Sequence, residues 1–149
     1  MYDNWTVNAL VVLVTALSVA FSVLVHYEGL NWLSVRLQAS PMRQRRKVLY
    51  GIYAVIAIHV LEIWLFGAAT WGLLQIPGAG AMQGLHAPGL LDAVYLSAAT
   101  FTTVGFGDLS PTGPLRFLSG TEALTGFILI TWSASFTFLE MARFWRYNR

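Results

Sequence analysis

In a chain of 149 residues only 11% are charged, against roughly 25% in ordinary globular proteins, while 56% are hydrophobic and the mean hydropathy is +0.60. So few charges cannot clothe a water-facing surface, and most of the chain is expected to face a bilayer. Cysteine is absent, which excludes disulfide frameworks, cysteine zinc sites, iron–sulfur clusters and thiol nucleophiles.

No charged residue lies between Asp3 and Glu28, and Val7 to Val25 reads VNALVVLVTALSVAFSVLV. A helix needs about 20 apolar residues to cross ~30 Å of hydrocarbon, so residues 1–28 are predicted to form a first transmembrane helix. A cleaved signal peptide would need a positive n-region, and the segment carries none, so the span is expected to be retained. Residues 29–47 follow as a linker, with Leu30, Leu33 and Leu37 at helical spacing beside Trp32, and then PMRQRRK. This pattern predicts an amphipathic, basic helix lying in the cytoplasmic interface, with anionic membrane lipid as its candidate partner.

A second span is predicted over 48–76, interrupted only by His59 and Glu62, and Pro77 with Gly78, Gly80, Gly84 and Gly89 marks a flexible loop. Residues 91–102 are too short to cross and too apolar for an ordinary loop, which predicts a re-entrant helix capped near Asp92. The third span covers 116–143, with Glu122 and Glu140 near its ends. Eight of nine cations flank the linker and the C-terminus, and only Arg116 does not. The positive-inside rule therefore predicts a cytoplasmic C-terminus, an outside N-terminus and an outward-facing 77–115 region, in an integral multi-pass protein of the cell membrane. Asp3, Asp92 and Asp108 then fall on or near the outer face. No span carries Arg or Lys at every third position, so a voltage-sensor helix is excluded.

The stretch Thr102-Thr103-Val104-Gly105-Phe106-Gly107-Asp108 ends the re-entrant helix. Stripping potassium of water takes a stack of oxygen ligands along one narrow axis. Backbone carbonyls supply it when residues alternate between right- and left-handed conformations, and Gly105 and Gly107 stand at alternate positions where the left-handed one is cheap. Thr103 adds a hydroxyl, Val104 and Phe106 direct apolar side chains into packing, and the helix dipole favours a cation at its C-terminal end.

TTVGFGD followed by Leu109-Ser110-Pro111 resembles the signature of the potassium channel pore family, T-x-V-G-Y/F-G-D, and the order of outer helix, loop, pore helix, filter and inner helix is similar too. The resemblance covers about two thirds of the chain, roughly Val48 to Arg143, within a pore domain drawn as 48–149 with its filter at 103–108. It implies an all-α membrane protein of three transmembrane helices plus a re-entrant pore helix and filter loop, assembled as a homotetramer around one path. Carried over residue by residue, the potassium ligands are the Thr103 hydroxyl and carbonyl and the carbonyls of Val104, Gly105 and Phe106. Thr102, Gly107, Asp108, Tyr95 and Glu122 support the filter, with Tyr95 the candidate partner of Asp108. Gly126 looks like the inner-helix hinge glycine. Phe106 replaces the commoner Tyr, Ala99 stands where some relatives carry a carboxylate, and the first span has no counterpart in minimal two-span channels.

Glu62 and His59 admit three readings: a structural bond from Glu62 to Ser18 or Ser22 of the first span, a pH sensor, or coordination, for which the pair offers two ligands at most and no third is evident. With Gly126 and Glu140 they are the gating candidates. Trp132 is expected to face another helix, while the spacing of Thr131, Ser133, Ser135 and Thr137 leaves their orientation open. Passive potassium conduction is the leading expectation, with no cofactor other than the permeating ion and no nucleic-acid partner. A weakly selective cation channel and a non-conducting membrane subunit are the alternatives. An intramembrane serine protease is not expected, because Ser119 has no evident pairing with His59 or His86.

Overall fold

The computed structural model describes residues 4–146, with side chains to Arg143; Asp3, Arg149 and the side chains of Trp145 and Arg146 lie outside the described residues. Its elements in chain order are α1 (Trp5–Ala39), α2 (Gln44–Leu74), β1 (Met82–Gln83), α3 (Leu90–Phe101), β2 (Ser110–Pro111) and α4 (Leu115–Arg146). Three helices are long and apolar enough to cross a membrane, and α3 is a shorter apolar helix between the second and third. The chain is an all-α membrane protein, with one small strand pair among the described residues.

Asn4 starts α1, its side-chain oxygen accepting from the Thr6 and Val7 amides at 3.2 and 3.3 Å, which satisfies donors that the first turn leaves open. The buried positions of α1 recur every three or four residues: Val7, Val11, Thr15, Ser18, Ser22, His26, Leu30, Leu33 and Leu37. The stripe is polar in its middle third, while Leu13, Leu17, Phe21 and Leu24 on other faces are exposed. This inversion of the soluble pattern suits a bilayer, where lipid accepts leucine and the helix interfaces collect small and polar groups.

The predicted break between a span at 1–28 and a linker at 29–47 is not what the chain adopts. α1 continues for 35 residues to Ala39, about 52 Å at 1.5 Å per residue. Leu30, Leu33 and Leu37 extend the same buried stripe instead of forming a separate helix, Leu33 being fully buried. Leu37 meets Val48 and Gly51 of α2 and Phe136 of α4 around a small gap. With no Gly or Pro between Gly29 and Ser40, nothing in the backbone stops the helix.

α1 packs on both α2 and α4, and α3 is wedged between α2 and α4. The α3 N-cap is Gly89, and Asp92 is the third helical residue, its carboxylate accepting from the Gly89 amide at 2.8 Å. Asp92 therefore caps from inside the first turn, not from the N-cap position. The glycine-rich loop before α3 is also less free than its composition suggests. Met82 and Gln83 pair antiparallel with Pro111 and Ser110, the Thr112 amide donates to the Ala81 carbonyl at 2.8 Å, and the Leu115 amide donates to that of Ala79 at 2.9 Å. Backbone pairing that side chains do not announce thus pins the loop over the Thr102–Asp108 segment.

α4 passes the end of α3 at Gly126, where a Cβ would collide with the Phe101 carbonyl oxygen. The helix is continuous there, so the glycine observed is a close-contact glycine in an unbroken helix. Gly126→Val should destabilise the protein by about 1–3 kcal/mol, the usual cost of overpacking. A thermal unfolding midpoint in detergent checks this, and an unchanged midpoint would remove the close contact from the account.

Candidate functional site

The last turn of α3 delivers the chain into the Thr102–Asp108 segment through three backbone bonds: Thr102 amide to Ala98 carbonyl at 3.2 Å, Thr103 amide to Thr100 at 2.9 Å, and Gly105 amide to Ala99 at 3.0 Å. Beyond them the backbone alternates in hand. Thr103, Gly105 and Gly107 have φ of 59°, 55° and 81°, and Thr103 is the one non-glycine residue with positive φ among the described residues. Left-handed residues at every second position turn successive carbonyls to the same side, the arrangement a ladder of oxygen ligands requires.

Residue type foreshadows two of the three left-handed positions. Beyond the hydroxyl and carbonyl that the motif points to, the backbone of Thr103 is the more unusual feature, because a β-branched residue rarely adopts positive φ. Such a conformation costs on the order of 1–3 kcal/mol and persists where surrounding structure over-determines it. Here the Thr103 and Gly105 amides, both bonded to α3, supply that constraint. No sequence signal separates this threonine from an ordinary one.

The remaining candidate residues surround this segment. The Tyr95 hydroxyl donates to Asp108 Oδ2 at 2.8 Å, and the Tyr95 ring stacks on Phe106 at 6.3 Å between centroids and 6° between planes. The hydrogen bond to Asp108, with its charge, holds the Tyr95 phenol above its ordinary value of 10.0, so the phenol keeps its donor proton at neutral pH. Val104 and Phe106 are 57% and 69% exposed on the single chain. Thr102 turns its hydroxyl back to the Ala98 carbonyl at 2.7 Å.

Glu122 is buried where α4 meets α3, bonded to the Ser97 hydroxyl, which also lies 2.8 Å from the Ile63 carbonyl oxygen of α2. One serine hydroxyl on α3 thereby lies within hydrogen-bond reach of both α2 and α4. Glu140 lies far from the segment, toward the end where α1 stops and α2 starts. It accepts from Ser34 at 3.3 Å and pairs with Arg143 at 3.0 Å.

Glu62 and His59 meet a third group, from α1. His26 Nδ1 lies 2.9 Å from Glu62 Oε1, and His59 Nδ1 lies 2.8 Å from Glu62 Oε2. The partner from α1 is thus His26, not the expected Ser18 or Ser22, and it is a third ligand-type side chain beside the pair. His26 sits beyond the Val7–Val25 run, but its place on the Ser18–Ser22 stripe, four residues on, was a usable signal. Trp132 packs on α1, its ring 5.2 Å from that of His26, and Ser133 faces the same histidine, whereas Thr131 and Ser135 are exposed and bond back to their own helix.

With the geometry in place, comparison with known proteins is decisive at the coarse level: residues 48–142, more than half of the chain, match the family described as "Ion channel". The chain belongs to this ion channel family. It is also similar to Protein LctB of Geobacillus stearothermophilus, 30% identical over 82 residues, which are 55% of this chain and 61% of that protein. Protein LctB of Bacillus caldotenax is 45% identical over 40 residues, 27% of this chain and 30% of the relative. The chain therefore spans less than two thirds of the length of these curated relatives. No solved structure matches it.

The left-handed backbone makes a direct prediction. A Cβ at Gly105 would meet no other atom of its own chain, so within the chain Gly105→Ala tests conformation without a clash, at about 1–2 kcal/mol for an L-residue at positive φ. Amide exchange at residues 103 and 105 should rise roughly 5–30-fold, measured by hydrogen exchange. Unchanged exchange would mean that the left-handed turn is not required.

Proposed function

We propose that this chain is the subunit of a potassium-selective channel, four copies of which surround one conduction path. The observation that carries the reading is the alternation of hand at Thr103, Gly105 and Gly107 within TTVGFGD, at the carbonyl end of a short helix between two spans. In the proposal the carbonyls of Thr103, Val104, Gly105 and Phe106 and the Thr103 hydroxyl replace the hydration shell of potassium. Ions pass down their electrochemical gradient without a chemical step.

The single chain also argues for an assembly. One copy can line only one side of an axis, and the exposed Val104 and Phe106 need neighbours to hold the carbonyl spacing. Closed cyclic repetition supplies both. The Tyr95–Asp108 bond and the Glu122–Ser97 contact would then brace the filter from behind and below. On the charge distribution, the filter faces outward across the cell membrane, the N-terminus lies outside, and the basic end of the bundle meets cytoplasmic anionic lipid.

Reconstituted protein should pass potassium over sodium by more than about 10-fold, equivalent to about 1.4 kcal/mol, and Thr103→Ala or Gly105→Ala should reduce that ratio or abolish flux. Equal permeability would replace the proposal with a weakly selective cation channel. Fourfold particles without any ion flux would favour a non-conducting subunit.

A further inference from the structure

The cluster of His26, His59 and Glu62 has no part in the proposed filter, yet it is the densest set of ligating groups among the described residues. Their ligand atoms all lie within 4.8 Å of one another. His26 and Glu62 are fully buried, and the His59 side chain is 16% exposed. Each Glu62 oxygen meets one imidazole nitrogen, so a carboxylate and two imidazoles converge at membrane depth, where polar groups are costly unless partnered.

We propose that these three residues form a binding site for a divalent d-block cation of the zinc class, joining the first span to the second. The donor set is chemically suited: two imidazole nitrogens and a carboxylate match borderline metals, whereas calcium and magnesium favour all-oxygen sites. Two histidines and one glutamate are a recurrent three-ligand set for zinc that leaves a fourth position open. Zinc–ligand bonds of about 2.0–2.2 Å would require the present 2.8 and 2.9 Å nitrogen–oxygen contacts to widen by only about half an ångström.

The surroundings provide two further elements of a metal site. A histidine that ligates through one ring nitrogen commonly donates from the other. His26 Nε2 lies 3.5 Å from Ser133 Oγ on α4. Moving the imidazole proton from Nδ1 to Nε2 frees Nδ1 for the metal and turns the new N–H toward that hydroxyl, with no net proton change. His59 and Ser133 also line an open, mostly apolar groove of about 440 Å³ between α2 and α4, so the cluster is reached from outside on the His59 side. Metal binding at this cluster is read out directly and so does not depend on ion selectivity.

The test uses the full chain in detergent or lipid discs, without an affinity tag and stripped with chelator, titrated with Zn²⁺ and with Co²⁺. One metal per chain is expected at a Kd of about 1 µM or tighter, with the intense visible bands of tetrahedral cobalt. His26→Gln or His59→Gln, which retain polar side chains, should weaken binding at least 100-fold. Ser133→Ala should weaken it about 10-fold, the scale of losing an outer partner, and serves as the second variant if a histidine replacement fails to fold. No binding at about 100 µM metal overturns the proposal. So does stoichiometric binding that persists undiminished in a His26→Gln/His59→Gln double variant, since the ligands would then lie elsewhere.

Discussion

Inside hydrocarbon a polar side chain has no water to turn to, and leaving one unpaired costs several kcal/mol. The buried carboxylates of the spans accordingly meet polar groups of other helices, and those meetings help to fix how the helices pack. Three of them are stacked along α4. Near the loop end Glu122 meets Ser97 of α3, at mid-depth Ser133 approaches the His26–Glu62–His59 cluster of α1 and α2, and toward the basic end Glu140 meets Ser34 of α1. Between these levels the contacts are apolar, with Phe66, Phe101, Leu118 and Leu129 buried among them. The apolar layers hold the helices together, and the polar levels register them, since a shift of one turn would break all three at once.

This constraint also explains what could be read from the sequence. Spans announce themselves through uninterrupted apolar runs, and the short helix Leu90–Phe101 through being apolar yet too short, so the order of elements was accessible from hydropathy alone. TTVGFGD was accessible because only glycine takes left-handed backbone cheaply. Contacts between spans were much less legible. In a soluble helix the buried face is the apolar one and shows in the periodicity. In α1 apolar residues surround the helix, and its buried stripe is marked by Thr15, Ser18, Ser22 and His26. Leucine spacing therefore predicts a separate interfacial helix at Leu30, Leu33 and Leu37 and carries no mark of His26. The pinning of the Gly78–Gly84 loop was illegible for another reason: it is made by backbone pairing with residues about 30 positions away, to which side-chain identity contributes little.

The left-handed Thr103 brings these threads together. Its conformation is costly in isolation, so something must hold it. The immediate restraint is the pair of amide bonds from Thr103 and Gly105 to Thr100 and Ala99, which exist only while the last turn of α3 stays in place. That turn is anchored by Phe101, fully buried, its ring 6.3 Å from Phe66 and 5.8 Å from His59, and its carbonyl pressed against α4 at Gly126. His59 is in turn held by Glu62, and Glu62 by His26 of α1. A continuous chain of contacts thus runs from the first span to the residue that precedes Thr102-Thr103. The first helix, which the minimal two-span arrangement lacks, is therefore built into the support of the strained segment instead of being an appendage. A change at His26 that lets His59 move would loosen Phe101 before it touched any residue of the Thr102–Asp108 segment itself.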